Sequence, residues 1–250
     1  MRAFVSDIHS NLEAFLAVLS AADEVGAKEI ICLGDVVGYG PNPKECIDLA
    51  AKRCRLSIMG NHDEAILFAT ETEGFNLRAR RAIIWTRAVL EDPQERRKND
   101  ARWGYLGKLP NRVEDHALLF VHGSARLPVK EYVFPEDIHK KGKMEKIFAA
   151  IKKVVFQGHT HLPGIFTESG KFYTPEAVGN TYQIGDEKVM VNVGAVGQPR
   201  DGDPRASFAV FDGKRVEFRR VAYDLEKTIE KIYAVRELEN FLGDRLRLGR

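Results

Sequence analysis

The stretches "SDIHSN", "LGDVVGYG", "IMGNHDEA", "LLFVHG" and "FQGHTH" carry the residues whose types and spacing could do chemistry. They hold Asp7 and His9, Asp35, Asn61 and His62, His122, and His159 and His161. Each group follows a short apolar run, so each falls just past the carboxyl end of an expected strand. Open α/β sheets place their ligands there. The pairs Asp7/His9 and His159/His161 are spaced i, i+2, which on extended backbone sends both side chains to one side. A lone histidine at a strand end is usually a turn residue. Five clusters of His, Asp and Asn at one sheet edge point instead to a metal site.

Asp7, His9, Asp35, Asn61, His122, His159 and His161 are too many donors for one ion. They suit two if one carboxylate bridges, which gives four bonds to each metal. Imidazole and oxygen donors without thiolate favour Mn, Fe, Zn, Co or Ni over Ca or Mg. A close ion pair of this kind clamps an in-line displacement at phosphorus and generates hydroxide at neutral pH. Phosphate ester hydrolysis is the chemistry that follows.

The elements needed to hold these groups are legible as alternating periodicities. "RAFVS" (2–6), "EIICLG" (29–34) and "RLSIMG" (55–60) read as strands. Between them, Ser10 to about Val25 reads as a helix opened by a Ser10–Glu13 capping box, and 42–52 as a helix with Asn42 as cap and Pro43 at its first position. Such apolar strands separated by helices imply βαβ units with a buried parallel sheet. Residues 64–112 read as mostly helical, 116–123 and 151–161 contain further strands, and from about 164 the pattern becomes antiparallel. A helix at about 224–243 ends a single domain spanning 1–250.

Composition narrows the setting. Net charge is +2, so no global field favours nucleic acid or a membrane surface. No apolar run approaches the roughly 20 residues of a membrane span, and the amino end lacks a signal-peptide core. The three cysteines, Cys32, Cys46 and Cys54, form no metal or disulfide pattern and read as small core residues. A soluble, cytoplasmic protein is expected. His116 and His139 read as surface or turn residues.

The five motifs, in this order and approximate spacing, resemble the calcineurin-like metallophosphoesterases over about residues 1–200. "NVGAVGQPRDGDPRASFAVFD" further resembles the small bacterial and archaeal phosphodiesterase branch. The resemblance implies a four-layer α/β/β/α sandwich of two mixed sheets flanked by helices. It also implies two divalent cations, Mn2+ foremost, with Asp7, His9 and His161 on one, Asn61, His122 and His159 on the other, and Asp35 bridging. His62 would stay off the metals and assist the leaving group after attack by metal-held hydroxide. A histidine titrates near neutrality, which suits that role.

The chain departs from the protein-phosphatase branch. Three residues after Asp35, where that branch carries a carboxylate orienting the acid histidine, stands Gly38, with Tyr39 following. Arg200 and Arg205 are candidates for phosphate contacts, although both also suit a turn. Asn11 could touch substrate or cap a helix. Asp63 is expected to open the helix after "GNH", with orientation of His62 as its alternative. The expected activity is a phosphodiesterase on small or nucleotide-derived esters. A nuclease gains some support from 76–116, with ten Lys/Arg against six acids, and from 139–153, with six Lys against one acid. A phosphomonoesterase or phosphoprotein phosphatase, and a non-catalytic scaffold, are the weaker readings.

Overall fold

A computed structural model describes residues 1–68 and 74–250 of the chain. Its first half alternates strands and helices: β1 (Arg2–Val5), α1 (Leu12–Glu24), β2 (Glu29–Cys32), α2 (Pro43–Arg53), β3 (Leu56–Ser57) and α3 (Asn61–Leu67). Two helices follow, α4 (Leu77–Leu90) and α5 (Arg96–Leu106), then β4 (Arg112–Asp115), β5 (Leu118–Val121), α6 (Lys141–Ala149) and β6 (Val154–Gln157). The remainder is β7 (Gly164–Thr167), β8 (Phe172–Tyr173), β9 (Thr181–Gln183), β10 (Val189–Asn192), β11 (Ala206–Phe211) and β12 (Arg215–Val221), closed by α7 (Leu225–Tyr233) and α8 (Phe241–Arg247).

Two six-stranded sheets result, ordered β3-β2-β1-β11-β12-β9 and β4-β5-β6-β10-β7-β8. Each is mixed. In the first, β1, β2 and β3 are parallel and β11 joins β1 antiparallel. In the second, β5, β6 and β10 are parallel, with β7 antiparallel to β10. The inner faces meet in one apolar layer that draws Phe4, Ile31 and Leu33 from one sheet and Phe120, Phe156 and Val191 from the other. Phe4 and Phe156 stack across it with ring centroids 3.8 Å apart. Truncating a buried ring of this kind is a change of about 3–5 kcal/mol. The outer faces carry α1 and α2 over the first sheet and α6 over the second. This is the expected α/β/β/α sandwich of two mixed sheets.

Local details differ from expectation for identifiable reasons. Asn11, not Ser10, caps α1, accepting from Ala14 N at 3.1 Å. Glu13 instead reaches Lys231 and Thr228 on α7. Asn42 precedes Pro43 as expected but makes no capping bond; its side chain accepts from Lys231. The helical expectation over 64–112 resolves into α3, α4 and α5, with residues 69–73 outside the described ones. β4 at its end is an edge strand whose mixed polarity hid it.

The single helix expected over 224–243 is two, α7 and α8. Ile229 and Ile232 pack with Leu238, Leu242 and Leu246 in one cluster. At about 1.5 Å per residue, a straight helix would hold its ends more than 20 Å apart, so burial of all five requires the chain to fold back. No helix among the described residues is long and apolar enough to cross a membrane.

Candidate metal centre

The loops after β1, β2, β5, β6 and β10 and the start of α3 meet at one end of the sandwich, knitted by backbone bonds. Asp7 N donates to Gly34 O at 3.0 Å, His9 N to Asp35 O at 2.9 Å, and Gly197 N to Asp7 O at 2.9 Å. Gly158 N donates to His122 O at 3.1 Å, joining the two loops of the second sheet. The sheets therefore extend their hydrogen bonding into the site.

Backbone conformation aims the side chains. Asp7, His9, Asp35, His159 and His161 all have left-handed φ, from 47° to 70°. The i, i+2 pairs converge through these turns, not through extended strand alternation as expected. Asp and His tolerate that region better than most residues, yet each such position costs on the order of 1–3 kcal/mol. The surrounding loop bonds hold them there.

All the expected ligands come together, buried at 9 % exposure or less. His9 Nε2 lies 3.2 Å from His161 Nε2 and 3.6 Å from Asp35 Oδ2. His161 Nε2 is 3.2 Å from Asp7 Oδ1. His122 Nε2 is 3.4 Å from Asp35 Oδ2 and 3.1 Å from Asn61 Oδ1. Compact donor sets form from Asp7, His9 and His161, and from Asp35, His122 and His159. A third combines His9, Asp35 and His62, so His62 also stands within ligand reach.

Hydrogen bonds to backbone carbonyls fix the histidine rings. Nδ1 of His9, His122 and His161 donates to the carbonyls of Val37 (3.2 Å), Leu33 (2.8 Å) and Gln198 (2.5 Å). His159 does the reverse, donating Nε2 to Lys130 O at 3.3 Å. In His9, His159 and His161, which burial keeps neutral, these bonds leave the other ring nitrogen as a bare lone pair, the usual preparation of a metal-binding imidazole. In His9 and His161 two such lone pairs face each other, and Asp7 Oδ1 is buried without a hydrogen-bond partner. A cation relieves all three at once, so these residues fit divalent metal.

Electrostatics agree. Burial raises the carboxyl of Asp35, but His122 and His62 outweigh it and hold it well below the ordinary range. Burial lowers His122, but the charge and hydrogen bond of Asp35 outweigh it and push it up to about 9. In the metal-free protein a proton on His122 thus sits where a metal held by His122 would displace it. Relative to an ordinary histidine near 6.5, this protonation stabilises the metal-free fold below about pH 6.5 and is lost as pH rises through 9. Metal affinity should therefore climb between pH 6.5 and 9, by up to about tenfold per unit from this one proton. The melting-temperature gap between metal-loaded and metal-free protein should widen with it. Calorimetric Mn2+ titrations at three pH values check both; a flat profile contradicts the His122 assignment.

His62 stands apart in its surroundings. Its ring is wedged among Tyr39 (4.5 Å between centroids), Phe75 (4.8 Å) and His9 (4.8 Å). Its Nδ1 is buried with no partner, and burial, with Arg200 and nearby histidines, lowers its pKa to about 4. Neutral imidazole is its resting state, contrary to the near-neutral titration expected. What orients it is packing, and Gly38 is the key: with φ of +97°, a Cβ there would collide with His62 Nδ1. Gly38→Ala should rotate His62 away and lower kcat by about 10²-fold, the usual effect of misplacing a reacting group by about 1 Å, with bound metal unchanged. Steady-state kinetics with metal analysis measure this.

The remaining candidates sort plainly. Asp63 accepts from Gly60 N at 3.1 Å and Val37 N at 3.3 Å, opening α3 rather than touching His62. Burial and Asp35 push its carboxyl up to about 7. Asn11 donates to Gly197 O and Tyr223 and accepts from Ala14 N and Thr228, so its amide is engaged in the scaffold. Arg200 Nη2 donates to Gln198 Oε1 at 2.8 Å, and its charge acts on His62 and His161. Arg205 pairs with Asp203. His116 and His139 are exposed.

Beside the centre opens a pocket of about 170 Å³, lined by Asn61, Glu64, Gly74, Phe75, Lys130, Tyr132 and His159. Tyr132 stacks on His159 with centroids 3.6 Å apart, while Lys130 pairs with Glu64 at 3.0 Å. Phe75 and Tyr132 lie on connections with no strand end to announce them in the sequence.

Comparison with known proteins gives the same picture. The calcineurin-like phosphoesterase superfamily domain matches residues 1–215. An uncharacterized protein of Methanocaldococcus jannaschii is 39% identical over 260 residues, covering 100% of this chain and 98% of its own. The crystal structure of a metallophosphoesterase from Sphaerobacter thermophilus superposes with a TM-score of 0.81 at 36% identity, covering 100% of this chain and 98% of that one. A Pyrococcus horikoshii structure shares the fold, with a TM-score of 0.75 at 20% identity over 100% of this chain and 99% of that one. With matching domain, full-length relatives and clustered His and Asp donors in agreement, the chain belongs to the calcineurin-like phosphoesterase superfamily and is a metal-dependent phosphoester hydrolase.

Proposed function

We propose that the chain is a dinuclear phosphodiesterase acting on small or nucleotide-derived esters. Asp7, His9 and His161 would hold one divalent ion and Asn61, His122 and His159 the other, with Asp35 shared between them. Two of the compact donor sets match this division. Ions held there, Mn2+ foremost, supply positive charge to the phosphoryl oxygens and acidify a water molecule. Asn61 contributes a neutral oxygen, which limits negative charge where an anionic ester must enter. His62 faces the leaving oxygen, donates an N–H hydrogen bond to it and delivers a proton as the P–O bond breaks. Its burial keeps it neutral in the free protein, and an anionic substrate beside it favours the protonated form.

The observation that carries the diester reading is the pocket wall. Phe75 and Tyr132 lie next to Asn61 and His159, giving an esterified second arm an apolar surface. The hydrolysis of bis-p-nitrophenyl phosphate and p-nitrophenyl phosphate with Mn2+ tests it. The diester should have the higher kcat/KM; preference for the monoester overturns the reading, and no turnover with any divalent metal removes the activity itself.

The nuclease alternative loses some support because several cations of its basic stretches are engaged in ion pairs. Arg78 and Arg81 pair with Glu239, Arg102 with Asp48 and Glu95, and Lys140 and Lys143 with Asp137. Phosphoprotein phosphatase chemistry is disfavoured by Gly38 and by the His62 Nδ1 left without a carboxylate. With every proposed ligand and His62 in place, a non-catalytic scaffold has nothing in its favour.

A further inference from the structure

The pocket beside the metal centre holds a pair of opposite charges that the hydrolysis does not use. Glu64 stands on α3 three residues past Asn61, about 4.5 Å along the helix axis, and is half-buried. Lys130, exposed on the connection between β5 and α6, reaches across to it with Nζ 3.0 Å from Oε2. Oε2 is nonetheless buried without a hydrogen-bond partner. Both residues line the same cavity of about 170 Å³ as Phe75 and Tyr132. The wall is also tied to a metal-site histidine: the Lys130 carbonyl accepts from His159, and Tyr132 stacks on the His159 ring. A group bound in this cavity therefore sits at a fixed offset from the metal centre.

The two charges define what fits between the apolar walls. A carboxylate only accepts hydrogen bonds, and an ammonium only donates them. An arm that satisfies both must offer a carbonyl oxygen and N–H groups side by side on one edge. The lactam edge of a 6-oxopurine does so, with its oxygen toward Lys130 and its ring N–H toward Glu64. The partners of such neighbouring groups stand about as close together as Nζ and Oε2 already do, so the ion pair survives the insertion. In guanine the 2-amino group adds a second donor, which matches the two oxygens of one carboxylate. Uracil and thymine have one N–H there, and adenine and cytosine place a bare ring nitrogen beside their amino group.

We propose that Glu64 and Lys130 are specificity-determining residues, and that they read the lactam edge of a guanine base carried on one arm of the substrate. This deepens the phosphodiesterase reading, on which it rests for the placement of that arm. The substrate class narrows from nucleotide-derived esters to esters of guanine nucleotides. Phe75 and Tyr132 flank the base, and its phosphoryl group lies toward the metal centre.

Binding without turnover tests it. The 5′-monophosphates of guanosine, inosine and adenosine are titrated calorimetrically into Mn2+-loaded protein at fixed free Mn2+. All three carry the same phosphate, so their ratios isolate the base. The guanosine compound should bind about tenfold or more tighter than the adenosine one, the scale of one hydrogen bond to a charged group. The inosine compound, which lacks the amino group, should fall between them. Lys130→Met should bring guanosine and inosine monophosphates toward the adenosine value. Glu64→Gln should remove most of the guanine preference and bind xanthosine 5′-monophosphate tighter than the wild type does. Its amide N–H can meet the oxygen that xanthine carries in place of the amino group, and a damaged fold does not gain a ligand. Arg53→Met, which breaks a distant pair with Asp23, should leave the ranking intact.

Equal affinity of the wild type for the guanosine and adenosine compounds, or for the guanosine and inosine ones, overturns the proposal. So does a guanine preference that survives both substitutions. If thermal melts show that Glu64→Gln fails to fold, Lys130→Met decides alone, and an undiminished preference there is equally fatal. A guanine preference that depends on Glu64, in a protein that cleaves no diester, would keep the base pocket and discard the phosphodiesterase reading; an active diesterase without base preference does the reverse.

Discussion

His62→Gln should lower kcat for diester hydrolysis by about 10²–10⁴-fold, the usual range for loss of a positioned general acid, while the amount of bound metal stays unchanged. Metal is expected to remain because the other histidines keep their own hydrogen bonds to the carbonyls of Val37, Leu33, Gln198 and Lys130. The loss should depend on the leaving group. Esters of p-nitrophenol depart without much help, so they should suffer least, and esters of simple alcohols most. Metal analysis beside kinetics with two leaving groups reads this directly. Loss of a metal in His62→Gln would instead place His62 among the ligands, as its proximity to His9 and Asp35 permits.

Asp35→Asn should have the largest effect. Oδ2 of Asp35 lies 3.6 Å from His9 and 3.4 Å from His122, so one carboxylate serves both halves of the site. Its amide cannot neutralise two cations. On the dinuclear proposal, bound metal should fall from two ions to one or none, and kcat/KM by about 10³-fold or more, as expected when several kcal/mol of metal assistance disappear. The metal-free protein should respond in a pH-dependent way. Removing one partner of a buried ion pair is destabilising, so while His122 is protonated the substitution costs stability without metal as well; the amide oxygen can still accept from His62 N, now at 2.8 Å from Oδ1. Thermal melts above about pH 9, where His122 is neutral, should show the substitution lowering the melting temperature mainly when metal is supplied. An equal drop with and without metal would mean that Asp35 acts mainly in folding.

Much of this centre is legible in the sequence because strand ends are easy to find. Apolar runs such as "FVS", "IICLG" and "VVFQG" mark where a buried strand stops, and the donors follow at once. Less legible is whatever depends on distant chain segments. Asn11 replaces Ser10 as the cap because Gly197, Tyr223 and Thr228 converge on its amide. The division of the last helix into α7 and α8 follows from a shared apolar cluster, which local periodicity does not encode. Tyr132 reaches the site only because its loop folds over His159. The low pKa of His62 likewise comes from burial among residues far apart in the chain.

The left-handed turns at Asp7, His9, Asp35, His159 and His161 limit which amino acids can replace these donors. A backbone that favours Gly, Asn, Asp and His there has a vocabulary overlapping the common oxygen and nitrogen ligands. β-Branched residues are penalised by conformation before any metal is considered. Glutamate adds a methylene that would push its carboxylate past the pocket centre. A redesign for another ion therefore has few letters to work with at these five positions, and Asp, Asn and His nearly exhaust them. Changes of metal preference are more accessible at Asn61 and His122, whose backbones carry no such restriction.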